Sequence, residues 1–251
     1  MKIVVIGASD LIGAKLVTLL RQRGHDVVEA SLEHGVNTIT REGLAEALVG
    51  AEVVVDVSNS LSSADMDVLK FFETSGRNIL ATEVEAGVKH HIALSIVGAD
   101  RLPDSAYYRA KIAQEKLIQN STIPYTILRS TQFFENLGKI IYSGTVGFTV
   151  YLSPAPAQLV AADDVAAALA DITANQPVNG IVQIAGPERV SLAEFARRFL
   201  TATSAPRKVV DDDRAPNFGA VVDDQSLVPG DNPRIGSLTF AEWFARHKSK
   251  A

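Results

Sequence analysis

Lys2-Ile3-Val4-Val5-Ile6-Gly7-Ala8-Ser9-Asp10-Leu11-Ile12-Gly13-Ala14 decides the fold. An apolar, β-branched run stops at glycine, which is the signature of a buried strand. Beyond Gly13 the period changes. Ile12, Leu16, Leu19 and Leu20 recur at helical spacing and share one face. Strand, glycine turn and helix form the opening of a dinucleotide-binding unit. Gly7 suits the tight turn, and Gly13 lets the helix lie close to the strand. The helix N-terminus then offers free N–H groups and partial positive charge to a diphosphate. Gly7, Ala8, Ser9, Asp10, Leu11, Ile12 and Gly13 are therefore the first candidate cofactor contacts. The spacing is a GxxGxxG pattern in which Asp10 replaces the middle glycine. The other reading is a plain strand-to-helix turn that binds nothing; the βαβ context favours the cradle.

Working outward, Gly24 ends the first helix and Asp26–Ala30 reads as the next parallel strand. An acid closing this strand would bind the adenosine ribose hydroxyls and repel a 2′-phosphate. Ser31 closes it instead, and Glu29 lies inside the strand. A hydroxyl can donate to a phosphate, so NADP is expected over NAD. Glu42 to Val49 is a short helix, and Val53 to Val57 the third strand. Ser58-Asn59-Ser60 falls at its carboxyl end, where open α/β sheets place ligands. Separate helices are expected over Asp65 to Ser75 and Ile79 to Ala86.

His90 to Gly98 reads as a strand and turn. Its adjacent histidines point to opposite faces and cannot share a metal, so no metal site is expected. Tyr107 and Lys111, four apart on the following helix, stack on one face. An ammonium beside a phenol favours phenolate and lowers its pKa. Tyr107 then becomes a usable proton donor, with Ser95 at the preceding strand's end placed to hold a substrate oxygen. Tyr108 is a rival that points about 100° further round the helix. Gln132, Phe133 and Phe134 follow the next strand and suggest a substrate wall, although two rings there fit a buried core equally well. Asp163 and Asp164 are sufficiently explained as acids at a helix start. Ser191 to Glu194 and Thr239 to Glu242 are capping boxes, and 205–236 is expected to be mostly irregular.

Composition bounds the rest. The chain has 251 residues, 47% hydrophobic and 21% charged, with no cysteine and a net charge of −5. Disulfides and thiolate chemistry are excluded. The negative charge gives no reason to expect nucleic-acid or membrane partners. No run reaches membrane-spanning length, and a strand at the very start leaves no room for a signal peptide, so the cytoplasm is expected.

Together, Gly7 to Gly13, Ser95, Tyr107-x-x-x-Lys111, Ile123 to Phe134 and Asp163-Asp164-Val165-Ala166 resemble the atypical short-chain dehydrogenase/reductases, in particular the NmrA-like and NAD(P)H-binding group. The resemblance spans nearly the whole chain. It implies an α/β, Rossmann-like doubly wound parallel sheet with a small C-terminal substrate lobe. On that pattern one domain covers 1–251. Its nucleotide-binding core is mainly 1–130 and 158–185, and its lobe 131–157 and 186–251. The resemblance also implies that the turn contacts the pyrophosphate, that Ser31 meets the adenosine ribose or its phosphate, and that Val57, Ser58 and Asn59 line the adenosine side. Tyr107 would donate the proton, Lys111 would hold the nicotinamide ribose, and Ser95 would orient the carbonyl. The chain departs from the pattern at Asp10, and at Leu32 where a basic residue would hold a 2′-phosphate. The expected activity is NADPH-dependent reduction of a small, mostly apolar carbonyl or quinone. A nucleotide-binding redox sensor without turnover and an epimerase that recycles its hydride are the alternatives. Helices flanking such sheets often pair, which makes a homodimer one expected assembly.

Overall fold

β1 (Lys2–Ile6) is apolar beyond its first residue because it is covered on both faces. The structure, a computed structural model, describes residues 1–60, 65–205 and 207–247. After β1 come α1 (Leu11–Gln22), β2 (Asp26–Ala30), α2 (Leu44–Leu48), β3 (Val53–Asp56), α3 (Asp65–Ala86), β4 (His90–Ile96), α4 (Ala106–Gln119) and β5 (Tyr125–Ser130). The second half holds α5 (Leu137–Ser143), β6 (Thr145–Val146), β7 (Thr149–Leu152), β8 (Pro156–Ala157), α6 (Ala162–Thr173), β9 (Gly180–Ala185) and β10 (Val190–Ser191). It ends with α7 (Leu192–Ala202), β11 (Lys208–Asp211), β12 (Arg234–Ile235) and α8 (Phe240–His247).

Seven strands form one sheet in the order β12-β9-β5-β4-β3-β1-β2, and every pairing is parallel. Chain order reverses between β1 and β3. That switch point opens a crevice at the strands' carboxyl ends. Side chains alternate across the sheet. Ile92 and Leu94 of β4 pack with α1 and α6, whereas Ala93 packs with α3 and α4. This is the doubly wound arrangement.

A smaller lobe stands over the carboxyl ends. Its sheets are β11-β7-β6 and β10-β8, and α5, α7 and α8 supply its apolar faces. Phe134 is its centre. The ring is fully buried, 5.7 Å from Phe195, 5.8 Å from Phe240 and 5.4 Å from Trp243. Phe134 is therefore lobe core and forms no substrate wall, which corrects the expectation for that residue. Glu135 ties the lobe to the sheet layer. It accepts from Trp243 Nε1 at 3.0 Å and from the Ala162 N–H that starts α6.

Two further expectations change. The separate helices over 65–75 and 79–86 are one 22-residue helix, α3. Gly76 does not break it: a Cβ there would come within 3.3 Å of Leu117, so the residue marks close packing on α4. The irregular stretch 205–236 contributes β11 to the lobe and β12 to the edge of the main sheet. Asp163 and Asp164 lie in the first turn of α6, as expected of helix-start acids. Asp163 pairs with Lys15, and Asp164 accepts from Ser237 Oγ and the Leu238 N–H. No described helix is long and apolar enough to cross a membrane.

Candidate functional site

The cradle begins with two glycines whose missing side chains make room. Gly7 has φ +81°, and a Cβ on it would sit 2.8 Å from the Ser58 backbone. A Cβ on Gly13 would fall 2.1 Å from the Gly7 carbonyl oxygen. The turn therefore lets α1 and the loop after β3 approach each other as no other residue would allow. Asp10 is the N-cap of α1, yet its exposed carboxylate makes no hydrogen bond to the helix. It leaves the first-turn N–H groups of Leu11, Ile12 and Gly13 uncapped, which is what a diphosphate needs. Partial burial and Glu33 raise the Asp10 carboxyl above its ordinary value.

At the end of β2, Ser31 Oγ lies 2.8 Å from Ser9 Oγ and 2.8 Å from His34 Nδ1. Glu29, inside β2, is paired with Arg21 at 2.8 Å. Ser31 directly follows β2, and two polar groups that sequence spacing did not join to it, Ser9 and His34, stand beside it.

The crevice continues as a cavity of about 730 Å³. Asp10, Leu11, Ile12, Val57, Ser58 and Asn59 line one part of it, and Ser95, Tyr107 and Lys111 another. Gln132 and Phe133 border it too, together with Asn136, Lys139, Ile140 and Ser143 along one face of α5 and its leading turn. Of the expected cofactor residues, Asp10, Leu11, Ile12, Val57, Ser58, Asn59 and Lys111 line the cavity, as do the three catalytic candidates, whereas Gly7, Ala8, Ser9, Gly13 and Ser31 do not. Phe134 alone among the expected substrate contacts stays outside.

The chemistry of the three catalytic candidates differs from expectation. Tyr107 is partly buried, and burial pushes its phenol up to about 12 against a lowering hydrogen bond with the Asn59 side chain. Its ring is stacked on Phe218, with centroids 5.6 Å apart, and meets Phe72 edge-on. Lys111 does not shift this phenol. Lys111 is 3% exposed and its ammonium turns inward, donating to the Leu94 carbonyl at 2.8 Å and to Gln114 Oε1, over the Phe72 ring. Gln114 passes the contact on to Asp56 Oδ2 at 2.9 Å, and Asp56 Oδ1 accepts from Ser58 N and Oγ. Burial lowers Lys111 to about 8, opposed by Asp56 and Glu115. So the phenol is held protonated, not ionised by its neighbour, because Asp56 and Gln114 hold the cation elsewhere.

Ser95 needs a similar correction. Its hydroxyl borders the cavity but donates to Glu115 Oε1 at 2.6 Å. Glu115 also holds Arg129 through Nε at 2.9 Å and Nη2 at 2.7 Å. The Ser95 proton is committed to a buried ion pair and is not free for a substrate oxygen. Tyr108 is buried in the lobe core, within 3.4 Å of Gln132 Nε2, which removes it as a rival.

Asp56 and Gln114 escaped the sequence reading, although Gln114 lies one turn beyond Lys111. Asn217 and Phe218 had no signal at all, lying some 110 residues from Tyr107 in the stretch read as irregular. His90 and His91 face opposite ways as expected. His90 meets Thr126 at 2.9 Å and His91 meets Glu83 at 2.7 Å. No group of three potential metal ligands exists among the described residues.

Comparison with known proteins fits this geometry. The model of a family described as NAD(P)H-binding matches residues 7–176. Photosystem II assembly factor Ycf39 of Synechocystis sp. is 24% identical over 151 residues, 55% of this chain and 46% of that protein. Its counterpart in Trieres chinensis is 26% identical over 152 residues, 55% of this chain and 47% of that protein. The matched region thus spans about half of these relatives' length. Among solved structures, MoeE5 in complex with UDP-glucuronic acid and NAD has a TM-score of 0.76 at 18% identity, covering 98% of this chain and 97% of that one. A short-chain dehydrogenase/reductase superfamily protein of Agrobacterium tumefaciens with bound NAD has a TM-score of 0.74 at 15% identity, covering 99% and 96%. A dTDP-4-dehydrorhamnose reductase of Bacillus anthracis in complex with NADP has 0.66 at 13%, covering 96% and 92%. These likenesses show the fold. With its glycine cradle, switch-point crevice and matched family model, the chain belongs to the family described as NAD(P)H-binding.

Proposed function

We propose that the protein is an NADPH-dependent reductase of a small, mostly apolar carbonyl or quinone compound. The observation that carries this reading is the shared cavity. The uncapped turn of α1, the protonated Tyr107 phenol and the buried Lys111 ammonium all border it. When bound, the reduced nicotinamide supplies a hydride. The turn from Gly7 to Gly13 holds the diphosphate through its free N–H groups. Ser31 and Ser9 meet the 2′-phosphate as hydroxyl donors, with His34 bracing Ser31. Glu29 lies within β2, where Arg21 at 2.8 Å and His34 Nε2 at 3.5 Å engage its carboxylate. Val57, Ser58 and Asn59 form the wall beside the adenosine half; the Asp56 carboxylate fixes Ser58, and the Asn59 side chain reaches Tyr107. Tyr107 gives its proton to the nascent alkoxide. Its raised pKa keeps that proton in place across neutral pH, and the alkoxide formed by hydride transfer is basic enough to take it. Lys111 holds the ribose hydroxyls from the floor of the crevice.

The test is direct. NADPH should be consumed with 1,4-naphthoquinone or 4-nitrobenzaldehyde, and NADH much more slowly. Loss of NADPH absorbance at the rate of a protein-free blank, across both acceptors, would remove the proposal. A second reading is a nucleotide-responsive partner-binding protein. It is favoured by the inward-turned Lys111 and by the assembly-factor relatives. Such a protein should distinguish NADP+ from NADPH in calorimetry and consume neither.

A further inference from the structure

The reading above leaves the substrate oxygen without a donor other than Tyr107, because Ser95 gives its proton to Glu115. One group in the same cavity has the opposite condition. Asn217 is 6% exposed and borders the cavity, and its Nδ2 is buried with no hydrogen-bond partner among the described residues. A buried amide without an acceptor costs stability, and buried polar groups in proteins are nearly always satisfied. Its position is not accidental. Asn217 and Ala220 exchange backbone hydrogen bonds at 2.8 and 3.2 Å, closing a tight turn. The turn carries Phe218, at φ +49°, face to face with the Tyr107 ring. The orphan donor is thus anchored one residue from the ring that covers the proton donor. Phe218 and Gly219, at φ +49° and +82°, are the two left-handed central residues of that turn, which fixes the backbone on which Asn217 sits.

We propose that Asn217 is the substrate-oxygen donor of this site, its carboxamide N–H binding the carbonyl oxygen that Tyr107 protonates. The inference rests on the reductase reading and assigns to Asn217 the role that Ser95 cannot fill. A fixed donor aimed at a developing oxyanion is worth about 10²–10³-fold in rate. A second donor also restricts the substrate class. Compounds with an accessible carbonyl oxygen fit, and alkenes without one do not.

The experiment compares wild type with Asn217→Leu, Asn217→Asp and Asn217→Ser. It reads kcat/KM for 1,4-naphthoquinone and 4-nitrobenzaldehyde, Kd for NADPH, and Tm. Leucine and aspartate both remove the N–H donor and should lower kcat/KM by about 10²-fold. Serine retains a donor and should recover part of that loss. NADPH affinity should stay within twofold. A structural role would make Asn217→Leu less stable. Removing an orphan donor should instead leave Tm unchanged or raise it by about 2–4 °C. A kcat/KM within threefold of wild type in Asn217→Leu, or a loss of activity matched by a fall in Tm, overturns this inference alone. A wild type that oxidises NADPH with neither acceptor overturns the reductase reading, and the inference with it.

Discussion

Tyr107→Phe is expected to lower NADPH-dependent reduction of 1,4-naphthoquinone or 4-nitrobenzaldehyde by about 10²–10⁴-fold, the span of a lost general acid. The substitution removes one oxygen and leaves the stack on Phe218 and the edge contact with Phe72 in place. NADPH affinity should therefore stay within a few-fold, and the loss should appear in kcat rather than KM. The pH dependence follows from the two shifted groups. With Tyr107 near 12, the donor stays protonated throughout the measurable range. With Lys111 near 8, the cation below that pH becomes a neutral amine above it. Activity in the wild type should therefore fall as pH rises through about 8, and the limb belongs to Lys111, not to the phenol. Unchanged turnover in Tyr107→Phe removes the assigned acid. A limb that moves in Tyr107→Phe reassigns the titration to the tyrosine.

Glu115→Ala should be among the most destabilising single substitutions in the chain. Glu115 and Arg129 are 3% and 6% exposed, joined by two short hydrogen bonds, with Ser95 donating to the same carboxylate. Removing one member of such a pair strands a charge away from water and costs about 3–5 kcal/mol. Asp100, 3.1 Å from Arg129 Nη1 but half-exposed, compensates only weakly. The replacement Glu115→Leu with Arg129→Met removes both charges. It should recover most of the loss, because apolar packing often substitutes for a buried pair without penalty. Urea unfolding monitored at Trp243 gives both values. A single-variant loss below about 1 kcal/mol, or a double variant no better than the single, contradicts the burial energetics assigned to this network.

How much of this was legible in residues alone depended on the range over which each interaction acts. The β1 turn was readable because Gly13 acts on backbone only six residues away, at Gly7, although the Gly7 contact with Ser58 crosses to another strand. Ser31 was readable because it ends a five-residue strand. Tyr107 and Lys111 were correctly placed on the cavity by helical spacing, but their electrostatics were not. Asp56 comes from β3 and turns the ammonium toward Gln114, a through-space effect that i,i+4 spacing cannot reveal. Phe134 shows the limit of composition. A phenylalanine after a strand fits a pocket wall or a core equally, and only the arrival of Phe195, Phe240 and Trp243 from distant elements decides. The stretch 65–86 reads as two helices, although Gly76 inside it carries only the ordinary helix penalty of glycine. Close approach of α4 overrode that penalty. Arg234-Ile235 is too short to announce a strand, and Asn217 and Phe218 reach the site through a turn in a stretch of Pro, Asp and Gly.

The account rests on the α1 turn binding the diphosphate of a dinucleotide. Calorimetric titration of the protein with NADPH tests this most directly. One site per chain with micromolar affinity is expected, weakened at least tenfold in Gly13→Val, where the added side chain would collide with the Gly7 carbonyl. Absence of heat with NADPH, or equal affinity in Gly13→Val, would contradict it.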